Sequence, residues 1–287
     1  MERPKMPRVP ERLLGTTYPL AVTERRAWER EPRTMPAYRA CGATEQLPGT
    51  TVRFAGTHRQ GITCEIRFKD GTTRTITEAA HPGRLVMLAS SLEAERLKTN
   101  PEERERIAKI ATERRAGVWH GVNVLIVSRW AEELLLTKKD ELHPCPWYCG
   151  RFAAPGGQED DQETVLWPDQ AQAGMVAGAR ELIEEIPEIG LAEELIAHWR
   201  YAGAFTSVCY SYLQNGQGNP DFSHVFVIEA ESAEQWHGWK RRLLAGLSEA
   251  HPVVLTRRAF LDACAEDQRA MAARQNVLRT TPPAEVE

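Results

Sequence analysis

Apolar and polar residues alternate in three short stretches early in the chain: Thr51-Val52-Arg53-Phe54, Thr63-Cys64-Glu65-Ile66-Arg67-Phe68 and Thr73-Arg74-Thr75-Ile76-Thr77. A period of two predicts strands with one buried face. Lys69-Asp70-Gly71-Thr72 separates the last two, and Asp-Gly accepts the positive φ of a tight hairpin turn. Residues 48–90 are therefore expected to form a small β-rich module, of a size that packs on the rest of the chain. Residues 1–47, rich in Arg, Glu and Pro with little periodicity, read as a basic arm. The spacing then turns helical: Leu88, Leu92, Leu97, Ile107 and Ile110 punctuate dense Glu and Arg. Asn100-Pro101 splits this helix, with Asn100 as N-cap of its second half. Residues 91–116 are read as a helical connector with a solvated face.

From Gly121 to Val127 the residues are mostly apolar and β-branched, which predicts a buried strand, with Leu134–Lys139 as its hairpin partner. Residues 174–186 are dominated by good helix formers and form a helix that Pro187 stops. Trp199–Ser207, Val208–Gln214 and His224–Glu229 read as strands, with Asn215–Pro220 as a long turn. Ser232 caps a helix whose apolar face holds Trp236, Trp239, Leu243, Leu244 and Leu247. A last helix is expected over 257–276, then a polar tail over 277–287. The order predicts an α+β domain over 117–276, with a mixed sheet between helices.

Charge sharpens this division. Residues 1–120 hold 22 Lys and Arg against 15 Asp and Glu; residues 121–287 hold 14 against 25, for a net charge of −4. An acidic half that binds anionic phosphates needs metal ions to do so. The N-terminus has no apolar h-region and no stretch is long and apolar enough to span a bilayer, so a cytoplasmic protein with reduced cysteines is expected. His143-Pro144-Cys145-Pro146-Trp147-Tyr148-Cys149 lacks the four ligands of a structural zinc site and reads as an aromatic loop.

The densest chemistry lies in the predicted 174–186 helix. Glu181, Glu184 and Glu185 fall at i, i+3 and i+4, so their carboxylates share one face. Such repulsion calls for a hard divalent cation with oxygen ligands. Upstream, Pro155-Gly156-Gly157 marks a sharp turn with exposed backbone.

Together these residues resemble the Nudix box: Gly157, five residues, Glu163, and later Arg180-Glu181-Leu182-Ile183-Glu184-Glu185. Sixteen residues separate Glu163 from Arg180 where the family has seven, which implies an insertion of about nine, Thr164 to Gln172, in the loop leading into the helix. The family's closing glycine comes late, at Gly190. The resemblance implies a Nudix-type α/β/α sandwich with Mg²⁺ (or Mn²⁺) held by Glu181, Glu184, Glu185 and the Gly156 carbonyl. It implies that Arg180 orients a glutamate, that Glu163 supports the helix, and that the reaction is hydrolysis of a diphosphate linkage in a nucleoside diphosphate joined to another group. Asp221, Glu229 and Glu231 are alternatives for a catalytic base outside the box. Arg151 and Trp167 are expected to touch substrate, and Trp147, Tyr148, Phe205 and Tyr210 are further stacking candidates. The expected partner is a nucleotide-type small molecule and not a membrane; a homodimer and a nucleic-acid contact stay open. The alternative class is a non-catalytic Nudix-fold protein that senses a nucleotide or ligand.

Overall fold

The computed structural model describes residues 8–21, 46–58, 61–67, 70–78, 89–90, 92–94, 96–139, 150, 152–186, 191–209, 219–245 and 251–266. The His143–Cys149 stretch, Arg151, Pro187, Gly190 and Tyr210 lie outside these residues.

Thr17–Ala21 (β1), Gln46–His58 (β2), Gly61–Arg67 (β3) and Thr73–Glu78 (β4) form an antiparallel sheet in the order β1-β2-β3-β4. The turn before β4 follows its chemistry: Gly71 has φ 85°, and Asp70 Oδ1 accepts the Thr72 N–H at 2.9 Å. β1 was not expected. It is five residues long and contains Pro19, which an edge strand tolerates because one side of its ladder has no partner. Tyr18 on β1 meets Phe54 edge to face at 6.0 Å, and its hydroxyl donates to the buried Glu93 at 3.3 Å.

Pro101–Arg115 (α1) begins where Asn100 predicts, with Asn100 Oδ1 accepting the Glu103 N–H at 3.2 Å. Only Ile107 and Ala111 are buried on it. Its last turn is not a solvated face, however: Arg114 and Arg115 dock on residues 159–165.

The second sheet contains Trp119–Ser128 (β5), Glu133–Lys138 (β6), Phe152–Ala153 (β7), Trp199–Cys209 (β8), Asn219–Glu229 (β9) and His251–Thr256 (β10). Its order is β10-β6-β5-β9-β8, with β7 on β6. β5 and β9 are parallel and the remaining pairs antiparallel, so the sheet is mixed and the fold α+β. β8 carries a register shift between Tyr201 and Gly203 and runs through the expected boundary after Ser207 to Cys209, while residues 210–214 of the second expected strand lie outside the described residues. β10 carried too short a pattern to stand out, and its place comes from pairing with β6.

Asp161–Leu166 (α2), Gln170–Glu185 (α3), Leu191–Ala197 (α4) and Ala233–Ala245 (α5) complete the named elements, and residues 257–266 are also helical. α3 lies on the sheet face formed by Val122, Val124, Ile126, Phe226 and Ile228, all fully buried. Gly178 permits this contact: a Cβ there would come within 2.9 Å of Val122 Cγ2. α5 is anchored by Trp236 and Trp239, whose indole N–H groups donate to Glu133 at 2.6 Å and Glu194 at 2.9 Å. No helix among the described residues is long and apolar enough to cross a membrane.

Replacing Asn100 by Ala removes the α1 cap but no packed side chain. The expected outcome is a loss of about 1 kcal/mol in urea unfolding with the native circular dichroism spectrum retained.

Candidate functional site

The Pro155-Gly156-Gly157 turn is laid along β5. Val124 N–H donates to the Pro155 carbonyl at 2.8 Å, Val122 N–H to Gly157 at 2.9 Å, and Glu159 N–H to His120 at 3.0 Å. Both glycines are required by contact. Gly156 has φ 148°, and any Cβ on it would overlap the Val122 carbonyl; a Cβ on Gly157 would overlap the Glu181 carboxylate. The turn therefore sits directly against the C-terminal half of α3.

Arg180 joins the pieces. Its Nε donates to Glu163 Oε1 at 2.9 Å, one terminal nitrogen to Glu181 Oε1 at 2.8 Å, and the other to the Gln158 carbonyl at 2.7 Å. Glu163 is fully buried, and its Oε2 also accepts the Asp160 N–H at 2.9 Å, as in a capping box. Burial pushes the Glu163 carboxyl up to about 7 against the pull of Arg180. Burial by itself would lower Arg180, but Glu163, Glu181 and Asp160 together hold it protonated.

The segment 164–172 is not a loop. Thr164–Leu166 finish α2, Trp167-Pro168-Asp169 turn the chain, and Gln170–Gln172 open α3, where Asp169 Oδ1 caps the Gln172 N–H at 3.0 Å. Arg114 of α1 donates to the Thr164 and Val165 carbonyls at 2.8 and 3.0 Å, and Arg115 pairs with Asp161 at 2.6 Å. Arg114 thereby satisfies carbonyls that the end of a short helix leaves free. Trp167 is buried, and its indole N–H donates to the Arg8 carbonyl at 3.2 Å.

Glu181 and Glu185 converge on the Gly156-Gly157 turn, and Glu184 is carried on the same end of α3. Glu185 Oε2 accepts the Gly156 N–H at 3.0 Å, and its Oε1 meets Lys139 Nζ at 3.3 Å. Burial pushes the Glu185 carboxyl up, Lys139 opposes this, and the Glu181 charge adds to it. Of the alternatives for a base, Asp221 on β9 accepts from Ser223 at 2.9 Å, Glu229 is paired with Arg129 and Arg200, and Glu231 is exposed beside His198. Phe205 is exposed on β8.

Residues that periodicity did not single out form a second polar group. His120 on β5 and His224 on β9 lie on the buried face of the sheet, with Glu159 between them. Glu159 Oε2 is 3.9 Å from His120 Nδ1 and accepts from Thr164 at 3.2 Å; Oε1 is 3.9 Å from His224 Nε2. His224 Nδ1 is hydrogen-bonded to the Tyr201 hydroxyl at 3.1 Å. Burial and the neighbouring Glu163 push Glu159 up to about 7, and burial pulls His224 down to about 4 and also lowers His120. The signal available in the sequence was their phase: His120 shares the inward register of Val122 and Val124, and His224 that of Phe226 and Ile228.

Because Glu159 is raised in the folded state, its contribution to stability is complete below its unfolded pKa near 4.5 and is lost as pH rises through about 7. The two histidines have the opposite sign, contributing above about 6.5 and losing that contribution as pH falls. Glu159→Gln removes the first effect alone. Urea unfolding is expected to show the stability of the wild type falling relative to the variant between pH 4.5 and 7, by on the order of 2 kcal/mol.

No family model matches the chain, and no curated protein sequence matches it. Among solved structures it is similar to a NUDIX hydrolase from Alicyclobacillus acidocaldarius, with TM-score 0.36 and 14% identity over 52% of this chain and 83% of that one. It is similar to a MutT protein from Methanosarcina mazei Go1, with TM-score 0.31 and 17% identity over 53% and 94%. An ADP compounds hydrolase aligns with TM-score 0.27 and 12% identity over 82% and 97%.

Proposed function

We propose that the chain is a Nudix-type hydrolase that cleaves a diphosphate linkage in a nucleoside diphosphate joined to another group, using a divalent cation. One observation carries this reading. Arg180, Glu181, Glu163 and the Gly156-Gly157 turn, dispersed over 30 residues of chain, meet in one hydrogen-bonded unit beside Glu185.

The donor set fits Mg²⁺ or Mn²⁺. It is all oxygen: the carboxylates of Glu181, Glu184 and Glu185 and the Gly156 carbonyl. Burial raises Glu185 and the Glu181 charge adds to it, a repulsion of the kind a cation relieves. When bound, the cation withdraws charge from phosphate oxygens and lowers the pKa of the attacking water. The chain's own contribution is positional. Arg180 fixes the Glu181 carboxylate through Oε1, and the Gly156 N–H fixes Glu185 through Oε2. Glu163 lies too deep to touch substrate and holds Arg180 in place. A cytoplasmic setting is in keeping with the free, buried thiol of Cys64.

A second reading, a non-catalytic nucleotide sensor, is favoured by Lys139. Its ammonium and the Gly156 N–H engage both oxygens of Glu185. In the hydrolase, Lys139 is a resident counter-ion that gives way to the metal.

Incubation with Mg²⁺ and a panel of nucleoside triphosphates, ADP-ribose, dinucleotides, nucleotide sugars and dinucleoside polyphosphates tests the proposal. Chromatography is expected to show cleavage of at least one compound, abolished by chelator, with kcat reduced at least 100-fold in Glu181→Gln and Glu185→Gln. Bound nucleotide without turnover anywhere on the panel moves the reading to the sensor.

Lys139→Ala separates the two readings further. For the hydrolase, the Mg²⁺ concentration giving half-maximal rate is expected to fall several-fold, because the competing ammonium is gone. An unchanged metal dependence removes Lys139 from the account.

A further inference from the structure

Glu159, His120 and His224 are each at least nine-tenths buried, yet Glu159 Oε1, His120 Nδ1 and His224 Nε2 have no hydrogen-bond partner in the structure. Three such atoms around one carboxyl are costly to leave unmet, so the arrangement calls for an occupant. A metal is not that occupant. Ligand atoms around tetrahedral zinc lie about 3.4 Å apart for bonds of about 2.1 Å, and the nitrogen–oxygen separations here are 3.9 Å. A gap of 3.9 Å does suit a single bridging donor or acceptor atom.

His120 and Glu159 open onto a cavity of about 200 Å³, walled further by Thr164, Trp167, Pro168 and Gln170. Those last four residues all belong to the segment inserted into the box. The volume is below the roughly 300–1,000 Å³ of pockets that enclose a whole drug-sized ligand, so it accommodates one ring. The chemistry of the walls narrows the class. The Glu159 carboxyl disfavours an anionic group, and Arg114, the cation at the rim, is engaged by the Thr164 and Val165 carbonyls. Trp167, with its N–H held by Arg8, offers carbon surface. The polar end pairs a carboxyl with an imidazole, which reads adjacent donor and acceptor atoms on the edge of a flat ring.

We infer that this cavity is a specificity pocket for a neutral, planar nitrogen heterocycle, the nucleobase end of the substrate, with Glu159 and His120 reading its edge. The inference rests on the hydrolase reading above and names the part of the substrate it recognises. Glu159 is two residues from Gly157, which packs on Glu181; two residues of chain span at most about 7 Å, the scale on which a nucleoside links its base to its phosphates.

Free nucleosides test the pocket without the chemistry, since they carry no diphosphate. Adenosine, guanosine, cytidine and uridine would be titrated calorimetrically into the full chain in chelator, and into Glu159→Gln and Gln170→Trp. Gln170 is exposed on the first turn of α3, so tryptophan there narrows the cavity without disturbing the buried group. At least one nucleoside is expected to bind one per chain and at least tenfold more weakly to both variants, with Gln170→Trp retaining the wild-type melting temperature. Absence of nucleoside binding, binding equal in all three proteins, or a high-resolution crystal structure with nucleoside that shows only ordered water at Glu159 each overturns the pocket. Metal-dependent turnover of the panel is read separately. Turnover whose base preference is the same in wild type and Glu159→Gln overturns the pocket and leaves the hydrolase standing. Nucleoside binding weakened in both variants, with no turnover, supports the pocket and defeats the hydrolase.

Discussion

A guanidinium buried against the sheet can persist only if every face of it is met, and Arg180 meets this condition by drawing three segments together. Its planar fork reaches Glu163 on α2, the neighbouring Glu181 on α3 and the Gln158 carbonyl in the turn. Lysine, with one point of charge, could not span these acceptors. Burial makes the arrangement mutually dependent: Glu163 has no exposed surface, so loss of Arg180 would strand a carboxylate in a low dielectric. The spatial relation of the turn to the helix follows from this one side chain.

The same constraint explains how Glu163 and Arg180 meet across the sixteen residues between them. The contact depends on where the two side chains end, not on the length of chain that joins them. These residues are folded into the end of α2, a turn and the start of α3, and are held from outside. Arg114 closes the Thr164 and Val165 carbonyls, Arg115 bonds the Asp161 carboxylate and the Thr164 hydroxyl, and the Arg8 carbonyl receives the Trp167 indole. The N-terminal residues and the connector thereby become part of the wall around the segment, which accounts for Val9 and Leu13 belonging to the buried core.

Two different chemistries result along α3. Its C-terminal half sets the Glu181 and Glu185 carboxylates against the Gly156-Gly157 turn, where the proposed hydrolase would hold a hard cation and phosphates. Its N-terminal half covers a carboxyl and two neutral imidazoles in a drier place, suited to an uncharged polar edge. Gly157 and Glu159 lie in the short stretch of chain that serves both, so a ligand with a charged end and a neutral end would meet both chemistries.

The carboxylates, the double glycine and the Asn100 cap were legible in the sequence because each acts over a few residues: helical spacing puts Glu181 and Glu185 on one face, and a missing Cβ marks close backbone approach. Both sheets were legible in outline for the same reason, the mixed one through the apolar phase of β5 and the antiparallel one through the alternation of β3 and β4. What only tertiary structure decided depends on partners distant in sequence. β1 and β10 exist because β2 and β6 pair with them, and β8 continues past Ser207 because β9 pairs with it as far as Cys209. His120 and His224 looked like ordinary members of strands, and Glu159 like one acid among many; parallel pairing of β5 with β9, and the turn laid along β5, brought each histidine to 3.9 Å from the Glu159 carboxyl. Local patterns record what a residue does to its own helix or strand, whereas a buried polar group is defined by which strands lie side by side, and no single stretch of sequence carries that.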